Sequence, residues 1–260
     1  MSSKAKPDKR SPLKRKPLRN AGDSVQRELD ELLDAEFVWI AVLPVWMLVF
    51  AGYEWARSIW KIPAQPVLMS VLALAAIGYA VYRFARLRRR TAALKLGRDG
   101  EKVVAQFLEA HRKPEWRLFN DIPAGHFNVD HVLIVPQGVF VLETKTFSKP
   151  EGRDAKVVYD GAKVLVDGHS PDRDPVEQAR AIRDWVRDTL AETTGRRIAP
   201  RGVVVMPGWW IDQPKSGPRP EIWVLNEKAL LAFIEHEPVV LKVEDIALFA
   251  DALAYRITRE

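Results

Sequence analysis

Two long uncharged segments most strongly constrain how this chain can fold. Residues 37–53 (FVWIAVLPVWMLVFAGY) and residues 62–82 (IPAQPVLMSVLALAAIGYAVY) contain no Asp, Glu, Lys or Arg. A helix needs roughly 20 apolar residues to cross the hydrocarbon core of a bilayer. The second segment reaches that length and the first is at its short limit, while Trp55 and Trp60 between them suit a membrane interface. We therefore predict a transmembrane helical hairpin over residues 37–82 rather than two buried core helices.

The distribution of charge predicts the orientation of this hairpin. Of the formal net charge of +6, residues 1–27 carry +7, residues 28–82 carry −4 and residues 83–98 carry +7, which leaves −4 for residues 99–260. Basic residues favour the cytoplasmic side, so both termini are predicted to be cytoplasmic in an inner or plasma membrane. The two flanking basic clusters also suit anionic lipid headgroups, which explains their charge without nucleic acid.

Composition predicts how the chain is divided. Cysteine is absent, which excludes disulfides and thiolate metal sites and fits a reducing compartment. The first 24 residues, rich in Lys, Arg, Ser and Pro, are predicted to be disordered. We predict a basic tail with a juxtamembrane helix (1–36), the two-helix hairpin (37–82), a basic linker (83–93) and one folded domain with C-terminal helices (94–260).

Hydrophobic periodicity predicts an α/β fold for the domain. A mixed sheet flanked by helices follows from the order of the elements. Asp174 and Pro175 mark the start of the second predicted helix of the domain as N-cap and first-turn residue. The predicted helices are 94–112, 175–192, 227–235 and 243–257, and the predicted strands are 116–121, 128–135, 138–146, 201–206 and 222–225, with a hairpin at 156–166.

Three charged residues on two adjacent predicted strands carry the candidate chemistry. Glu143 and Lys145 alternate onto one face of a strand, and Asp130 lies on the preceding strand. Carboxylate oxygens suit Mg²⁺, so Asp130 and Glu143 are candidate ligands, with the Thr144 carbonyl as a third. Lys145 would orient the attacking water or offset phosphate charge. Glu101 could contact a metal-bound water, and Gln178 could hold Lys145 or a phosphate.

Simpler explanations compete with several of these assignments. A Glu-x-Lys pattern alone usually marks a solvated strand face. Here Asp130, Glu101 and Gln178 favour a catalytic site instead. His131, next to Asp130, is predicted to be a hydrogen-bonded core residue on the opposite face. Trp209 and Trp210 could stack on bases, but core packing or membrane contact explains them better. Gly97 and Gly100 are predicted to serve a helix start or close packing.

An ordered series of motifs runs along the predicted domain: Gly97–Glu101, Asn120–Asp121, Asn128–Ile134, Gly138–Lys145, Pro175–Gln178 and Val203–Met206. Together these motifs resemble the nuclease-related domain (NERD) family over residues 91–210. The resemblance implies a restriction-endonuclease-like fold of the PD-(D/E)xK type and cleavage of DNA that depends on Mg²⁺ or Mn²⁺. It implies a catalytic set of Glu101, Asp130, Glu143 and Lys145 with Gln178 as an accessory, and it suggests a homodimer.

Three functions from different classes remain open on the sequence alone. The first is a membrane-anchored, metal-dependent nuclease that acts on DNA at the cytoplasmic face. The second is a nucleic-acid-binding or signalling module on a nuclease fold, which the charge of −4 over residues 99–260 favours because DNA affinity normally rests on Lys and Arg. The third is a structural membrane protein whose hairpin mediates assembly.

Overall fold

Two long helices precede the folded domain. The computed structural model describes residues 20–61, 63, 66–149, 156–213 and 220–259, so most of the predicted disordered tail, residues 1–19, lies outside it. Helix α1 spans Asp23–Trp60 and helix α2 spans Pro66–Ala110. Lys61 ends α1 in a left-handed conformation, with its amide bonded to the Arg57 carbonyl. The two helices contact each other along part of their length.

Helix α2 continues without a break from the apolar segment into the domain. The predicted start of a helix at Leu94 was therefore wrong, because residues 83–93 already lie inside α2. The division of the chain at a basic linker, residues 83–93, stays a prediction. Residues 83–98 are mostly Arg, Leu, Ala and Lys, which are strong helix formers, and no proline interrupts them. The apolar segment and Glu101 are consequently carried by one helix.

One of the two predicted membrane segments lies in a helix that could cross a membrane by its length and composition. Among the described residues, one helix, Met69–Ala110, is long and apolar enough to cross a membrane, and none of its apolar window is buried in the protein. At ~1.5 Å per residue this helix is about twice as long as a bilayer core is thick, so its basic second half would lie outside. The first predicted span falls in α1, where the side chains of 34–41, 43 and 44 lie outside the description. A crossing of the membrane by this first segment, residues 37–53, stays a prediction.

The domain is a mixed α/β fold, as predicted. Strand β2 and strand β8 match their predicted bounds, and helix α4 does as well. The strands are β1 (Arg117–Pro123), β2 (Asn128–Val135), β3 (Gly138–Thr144), β4 (Val157–Tyr159), β5 (Val164–Val166), β6 (Arg201–Val205), β7 (Ile211–Asp212) and β8 (Ile222–Leu225), and the helices are α3 (Pro175–Thr194), α4 (Glu227–Glu235) and α5 (Val243–Arg259).

Five strands form the central sheet in the order β1-β2-β3-β6-β8. The first three are antiparallel neighbours, and β6 and β8 continue the sheet in parallel with β3. Helices α3 and α5 cover one face around Val132, Val141 and Val186, while α2 and α4 cover the other around Leu142 and Leu108. Burial on both faces explains why β3 is buried along its whole length.

A small second sheet lies beside the central one in the order β5-β4-β7. Its hairpin was predicted, and Asp160 closes the turn by accepting hydrogen bonds from the amides of Ala162 and Lys163. Strand β7 was missed because it has only two residues. The buried Tyr159 hydroxyl donates to the Ile222 carbonyl at 2.8 Å and joins the two sheets.

The caps of α3 follow the predicted pattern. The Asp174 carboxylate accepts a hydrogen bond from the Val176 amide, with Pro175 as the first helical residue. Gly195 ends the helix at φ 68°, a conformation that glycine adopts without strain. Val176 and Ala179 of α3 are buried together with Val204 and Met206, so the first turns of α3, which include Gln178, pack beside the end of β6.

Candidate active site

Strands β2 and β3 separate at the point where the candidate residues begin. Their pairing runs from Val135 opposite Gly138 to His131 opposite Leu142, and the same register would set Asp130 opposite Glu143. The Thr144 amide instead donates to Asp130 Oδ2 at 2.7 Å. The Asp130 side chain thus takes a hydrogen bond at the edge of the paired region, which holds its carboxylate against the end of β3.

Glu143 and Lys145 form a close ion pair at the end of β3. Lys145 Nζ lies 2.6 Å from Glu143 Oε1, which confirms that the two side chains share a side. Glu143 is buried, whereas the Lys145 side chain is one-quarter exposed. The predicted strand was two residues too long, since β3 ends at Thr144, but the Lys145 amide still donates to the Val205 carbonyl of β6 at 2.9 Å.

Helix α2 brings Glu101 to the same region. An added Cβ on Gly100 would lie 1.8 Å from Thr146 Oγ1, so only glycine allows the helix to approach the segment that follows Lys145 this closely. The close-packing role predicted for Gly100 is therefore confirmed. The alternative of a helix start was wrong, because Gly97 and Gly100 both lie within α2. Glu101 itself is only 9% exposed.

Burial and neighbouring carboxylates raise the pKa values of Glu101 and Asp130. Burial, and then the charges of Asp121 and Glu143, raise the pKa of Glu101 from 4.5 to about 7. Burial, followed by the charges of Glu143 and Glu101, raises the pKa of Asp130 well above its ordinary value. The Lys145 ammonium opposes both shifts. The site therefore concentrates more negative charge than its single ammonium offsets.

The donor chemistry of the site suits a hard divalent cation. Carboxylate oxygens are the ligands that Mg²⁺ prefers, and a divalent charge would relieve the repulsion that, after burial, contributes to the two raised pKa values. Nevertheless, among the described residues no group of three His, Cys, Asp or Glu side chains lies close enough together to hold a metal ion. Each carboxylate accepts a hydrogen bond from its own donor instead. Glu143 accepts from the Lys145 ammonium and Asp130 from the Thr144 amide. Glu101 accepts from the Gly22 amide.

Two accessory predictions have different outcomes. The Thr144 carbonyl lies at the end of β3 between Glu143 and Lys145, where the third ligand was expected, and its role as a ligand stays a prediction. Gln178 does not hold Lys145 through its carbonyl oxygen, because Gln178 Oε1 is buried with no hydrogen-bond partner within the described part of the chain. Its alternative role, a contact to phosphate, stays a prediction.

Asp121 is a buried acidic residue that the sequence analysis did not assign to the site. It is 1% exposed, has φ 50°, and lies on β1 where the register with β2 would set it opposite Asp130. After burial, its charge makes the largest contribution to the raised pKa of Glu101. A signal was present, since an aspartate between the apolar residues of a buried strand is rarely without a role.

The competing assignments are resolved for His131 and Trp209, while Trp210 does not pack in the core and its contact with bases or a membrane stays a prediction. His131 is fully buried, its Nδ1 lies 2.8 Å from Asn120 Oδ1, and burial lowers its pKa to about 3, so it is a hydrogen-bonded core histidine as predicted. Trp209 is buried in the core beneath the small sheet, with Lys149 Nζ 5.0 Å from its ring centroid. Trp210 is 72% exposed.

Comparison with known families finds a match over the part of the chain that contains the candidate site. Residues 96–207 match the family model of the nuclease-related domain, NERD. This part of the chain is similar to nuclease-related domains. The matched range covers α2 from just before Glu101 through β6, and so includes all of Glu101, Asp130, Glu143, Lys145 and Gln178. No curated protein matches the chain, and no solved structure does.

The NERD match covers less than half of the chain. The long N-terminal helices up to residue 95 lie outside it, and so do β7, β8, α4 and α5. Strand β8 nevertheless belongs to the central sheet, and α5 packs on the same face as α3. The folded unit is therefore larger than the matched range.

Proposed function

We propose that this protein is a membrane-anchored nuclease that depends on a divalent metal ion and hydrolyses DNA phosphodiesters at the cytoplasmic face. The observation that carries the proposal is the convergence of Glu101, Asp130, Glu143 and Lys145 within the NERD region. Two buried carboxyl groups, Glu101 and Glu143, and the partly buried Asp130 lie beside one ammonium. Such a group of charges is costly for folding, and perturbed acidic groups of this kind cluster at functional sites. A site for a metal ion and a phosphate would account for them.

The residues have separate roles in the proposed reaction. Asp130 and Glu143, with the Thr144 carbonyl, would hold Mg²⁺ or Mn²⁺, and Glu101 would orient a water molecule. A bound divalent ion would stabilise charge on the phosphate. Lys145, partly exposed beside Glu143, would orient the attacking water and offset the charge that develops on phosphorus. Gln178, with its buried unpartnered oxygen, would hydrogen-bond through its amide nitrogen to a phosphate oxygen.

The exposed apolar surface of α1 and α2 supports anchoring in a membrane. Large apolar side chains are half or more exposed on both helices, a pattern that would favour aggregation in water. The basic run that follows in α2 suits the cytoplasmic headgroups. The exposed residues include Trp46, Leu48, Phe50, Trp55, Trp60, Val67, Leu74, Ile77, Val81 and Tyr82.

A second candidate function is nucleic-acid binding or signalling with little catalysis. The charge of −4 over residues 99–260 favours it, because binding to DNA phosphates normally requires an excess of Lys and Arg. In the nuclease proposal the basic part of α2, residues 83–98, supplies the missing positive charge. A homodimer, which would present two sites to the two strands of a duplex, forms part of the nuclease proposal.

Products of hydrolysis distinguish these functions. Full-length protein in lipid nanodiscs would be incubated with end-labelled duplex DNA, single-stranded DNA and RNA of one sequence, with Mg²⁺ or Mn²⁺. The nuclease proposal predicts metal-dependent DNA cleavage that leaves 5′-phosphate ends and is absent in the Glu143→Gln variant. Retention of DNA without cleavage in either metal would favour the binding module instead.

A further inference from the structure

The chain immediately before the first long helix lies against the candidate active site. Residues 20–27, here called the N-terminal strap, form a turn that leads into the first turns of α1. Ala21 is 5% exposed and Gly22 is also buried. The Gly22 amide hydrogen-bonds to the Glu101 carboxylate. The strap thus contacts a candidate catalytic side chain from a point about 80 residues away in sequence.

The strap also contacts the second buried acid of this region. The Ser24 amide donates to Asp121 Oδ2 at 3.0 Å, and Arg27 Nη2 lies 3.7 Å from the same oxygen. Because these amides belong to the start of a helix, they carry partial positive charge and suit carboxylates. The strap therefore supplies to Glu101 and Asp121 the kind of charge compensation that a cation would otherwise supply.

Contacts with α2 fix the strap in this position. Arg98 Nη1 donates to Gln26 Oε1 at 2.6 Å. Gly22 has φ 77°, and an added Cβ there would lie 2.8 Å from Arg98 Cγ. Leu29, one turn further along α1, is 4% exposed. The strap is therefore packed against α2 through specific contacts.

Burial of the acids has a consequence for a polymeric substrate. A phosphodiester must reach the carboxylates or a metal ion bound to them, yet Glu101 is 9% exposed and Asp121 is 1% exposed beneath the strap. The strap continues directly into α1, the helix that carries the first apolar segment. A movement of α1 relative to α2 would therefore move the strap.

We propose that the N-terminal strap is an autoinhibitory element that competes with a divalent cation for the acidic cluster of Glu101, Asp121, Asp130 and Glu143. Displacement of the strap would open the site. The proposal rests on the proposed nuclease function for its biological meaning, but its physical content is a competition that metal binding alone can measure. Displacement of α1 against α2 in the membrane is the motion that would release the strap.

A substitution that keeps the charge unchanged tests the competition. Gly22→Ala would strain the left-handed backbone and would collide with Arg98, so it should displace the strap. Gly125→Ala is the matched control, because Gly125 also has a left-handed φ of 74° but no atom lies within 4 Å of the added Cβ. Gln26→Ala is a second charge-neutral variant, which removes the hydrogen bond from Arg98 and leaves the backbone unstrained.

The experiment measures Mn²⁺ binding to full-length protein in nanodiscs by electron paramagnetic resonance of the free ion. We expect Mn²⁺ to bind about tenfold more tightly to Gly22→Ala than to wild type, a typical coupling between two sites. Gln26→Ala should change affinity in the same direction, and Gly125→Ala should not. Amide hydrogen exchange over residues 20–29 should become faster in the first two variants only.

Two results would overturn the proposal. One is equal Mn²⁺ affinity in wild type, Gly22→Ala and Gln26→Ala with faster exchange in the strap, since the strap would then be displaced without effect on the site. The other is weaker Mn²⁺ binding in both variants, since the strap would then support the site. DNA cleavage is scored separately: tighter Mn²⁺ binding without cleavage would uphold the strap and contradict the nuclease.

Discussion

The carboxylate of Asp130 accepts a hydrogen bond from the backbone amide of Thr144, at 2.7 Å. This contact joins the first residues of β2 to the last residue of β3, just beyond the point where the two strands stop pairing. It fixes one candidate ligand beside the residue that separates Glu143 from Lys145. The geometry of the candidate site therefore depends on a side chain that also closes the sheet.

Asp130→Asn separates the structural role of this side chain from its chemical role. The amide oxygen of Asn can still accept from Thr144, and the variant loses a buried carboxyl whose pKa is raised by burial and by Glu143 and Glu101. We expect the folded state at pH 8 to be as stable as wild type or more stable, with Mn²⁺ affinity reduced at least tenfold. Denaturant unfolding and Mn²⁺ titration would measure the two effects. Loss of stability with unchanged Mn²⁺ binding would contradict this account.

The raised pKa of Glu101 predicts how stability depends on pH in metal-free protein. Between its ordinary value of 4.5 and about 7, the folded state binds more protons than the unfolded state. The contribution of Glu101 is therefore fully present below pH 4.5 and is lost as the pH rises through 7. Glu101→Gln removes this loss, so its stability relative to wild type should increase by on the order of 1–3 kcal/mol between pH 4 and pH 8.

Glu109→Gln is the control for the pH experiment. Glu109 lies on the same helix but is exposed and paired with Arg112. Its substitution should leave the pH dependence of the free energy of unfolding unchanged. If Glu101→Gln and wild type lost stability in parallel as the pH rose, the assigned pKa of Glu101 would be wrong.

Two glycines of α2 predict opposite effects of the same substitution. Gly100→Ala would bring a Cβ to 1.8 Å from Thr146 Oγ1, whereas Gly97→Ala meets no atom within 4 Å. We expect Gly97→Ala to stabilise the protein by about 1 kcal/mol through helix propensity. Gly100→Ala should destabilise it by about 1–3 kcal/mol through overpacking, and should weaken Mn²⁺ binding because Glu101 moves with the helix. Equal effects in chemical unfolding would contradict the close contact.

A single lysine tests whether α2 crosses a membrane. Leu74 is 70% exposed on the apolar part of α2, and a lysine near the centre of a span costs about 2.5–3.5 kcal/mol for insertion. Leu74→Lys should reduce the fraction of protein that resists carbonate extraction. Ala92→Lys places the same charge at an exposed position in the basic part of the helix and should have no effect. Equal extraction of both variants would argue against insertion of this helix.

Local pattern was sufficient for most of the domain. The alternation of apolar residues and the turn at Pro136 and Gly138 predict β2 with its observed bounds, and the Asp174 cap predicts the start of α3. These signals are local, because propensity and capping depend on neighbours in the chain. The convergence of Glu143 with Lys145 also follows from strand alternation alone.

Contacts between distant residues were beyond the sequence. The approach of Ala21 and Gly22 to Glu101, and of Ser24 to Asp121, joins a segment that composition marked as disordered to the candidate site. Its burial depends on the path of α1 beside α2, which no local signal specifies. The unbroken length of α2 was also missed, because a change from apolar to basic composition resembles a boundary although most residues there favour a helix.

Metal-dependent cleavage tests the central claim most directly. Wild-type protein in nanodiscs would be compared with Asp130→Asn, Glu143→Gln and the exposed control Glu235→Gln, all purified in parallel, on linear and supercoiled DNA with Mg²⁺, Mn²⁺ or chelator. The account predicts cleavage by wild type and by Glu235→Gln only with metal, and a loss of at least about 100-fold in the other two variants. Because Gly22→Ala should displace the strap, this variant should cleave DNA faster than wild type. Cleavage that persists equally in Asp130→Asn and Glu143→Gln, or no cleavage even after strap release, would contradict it.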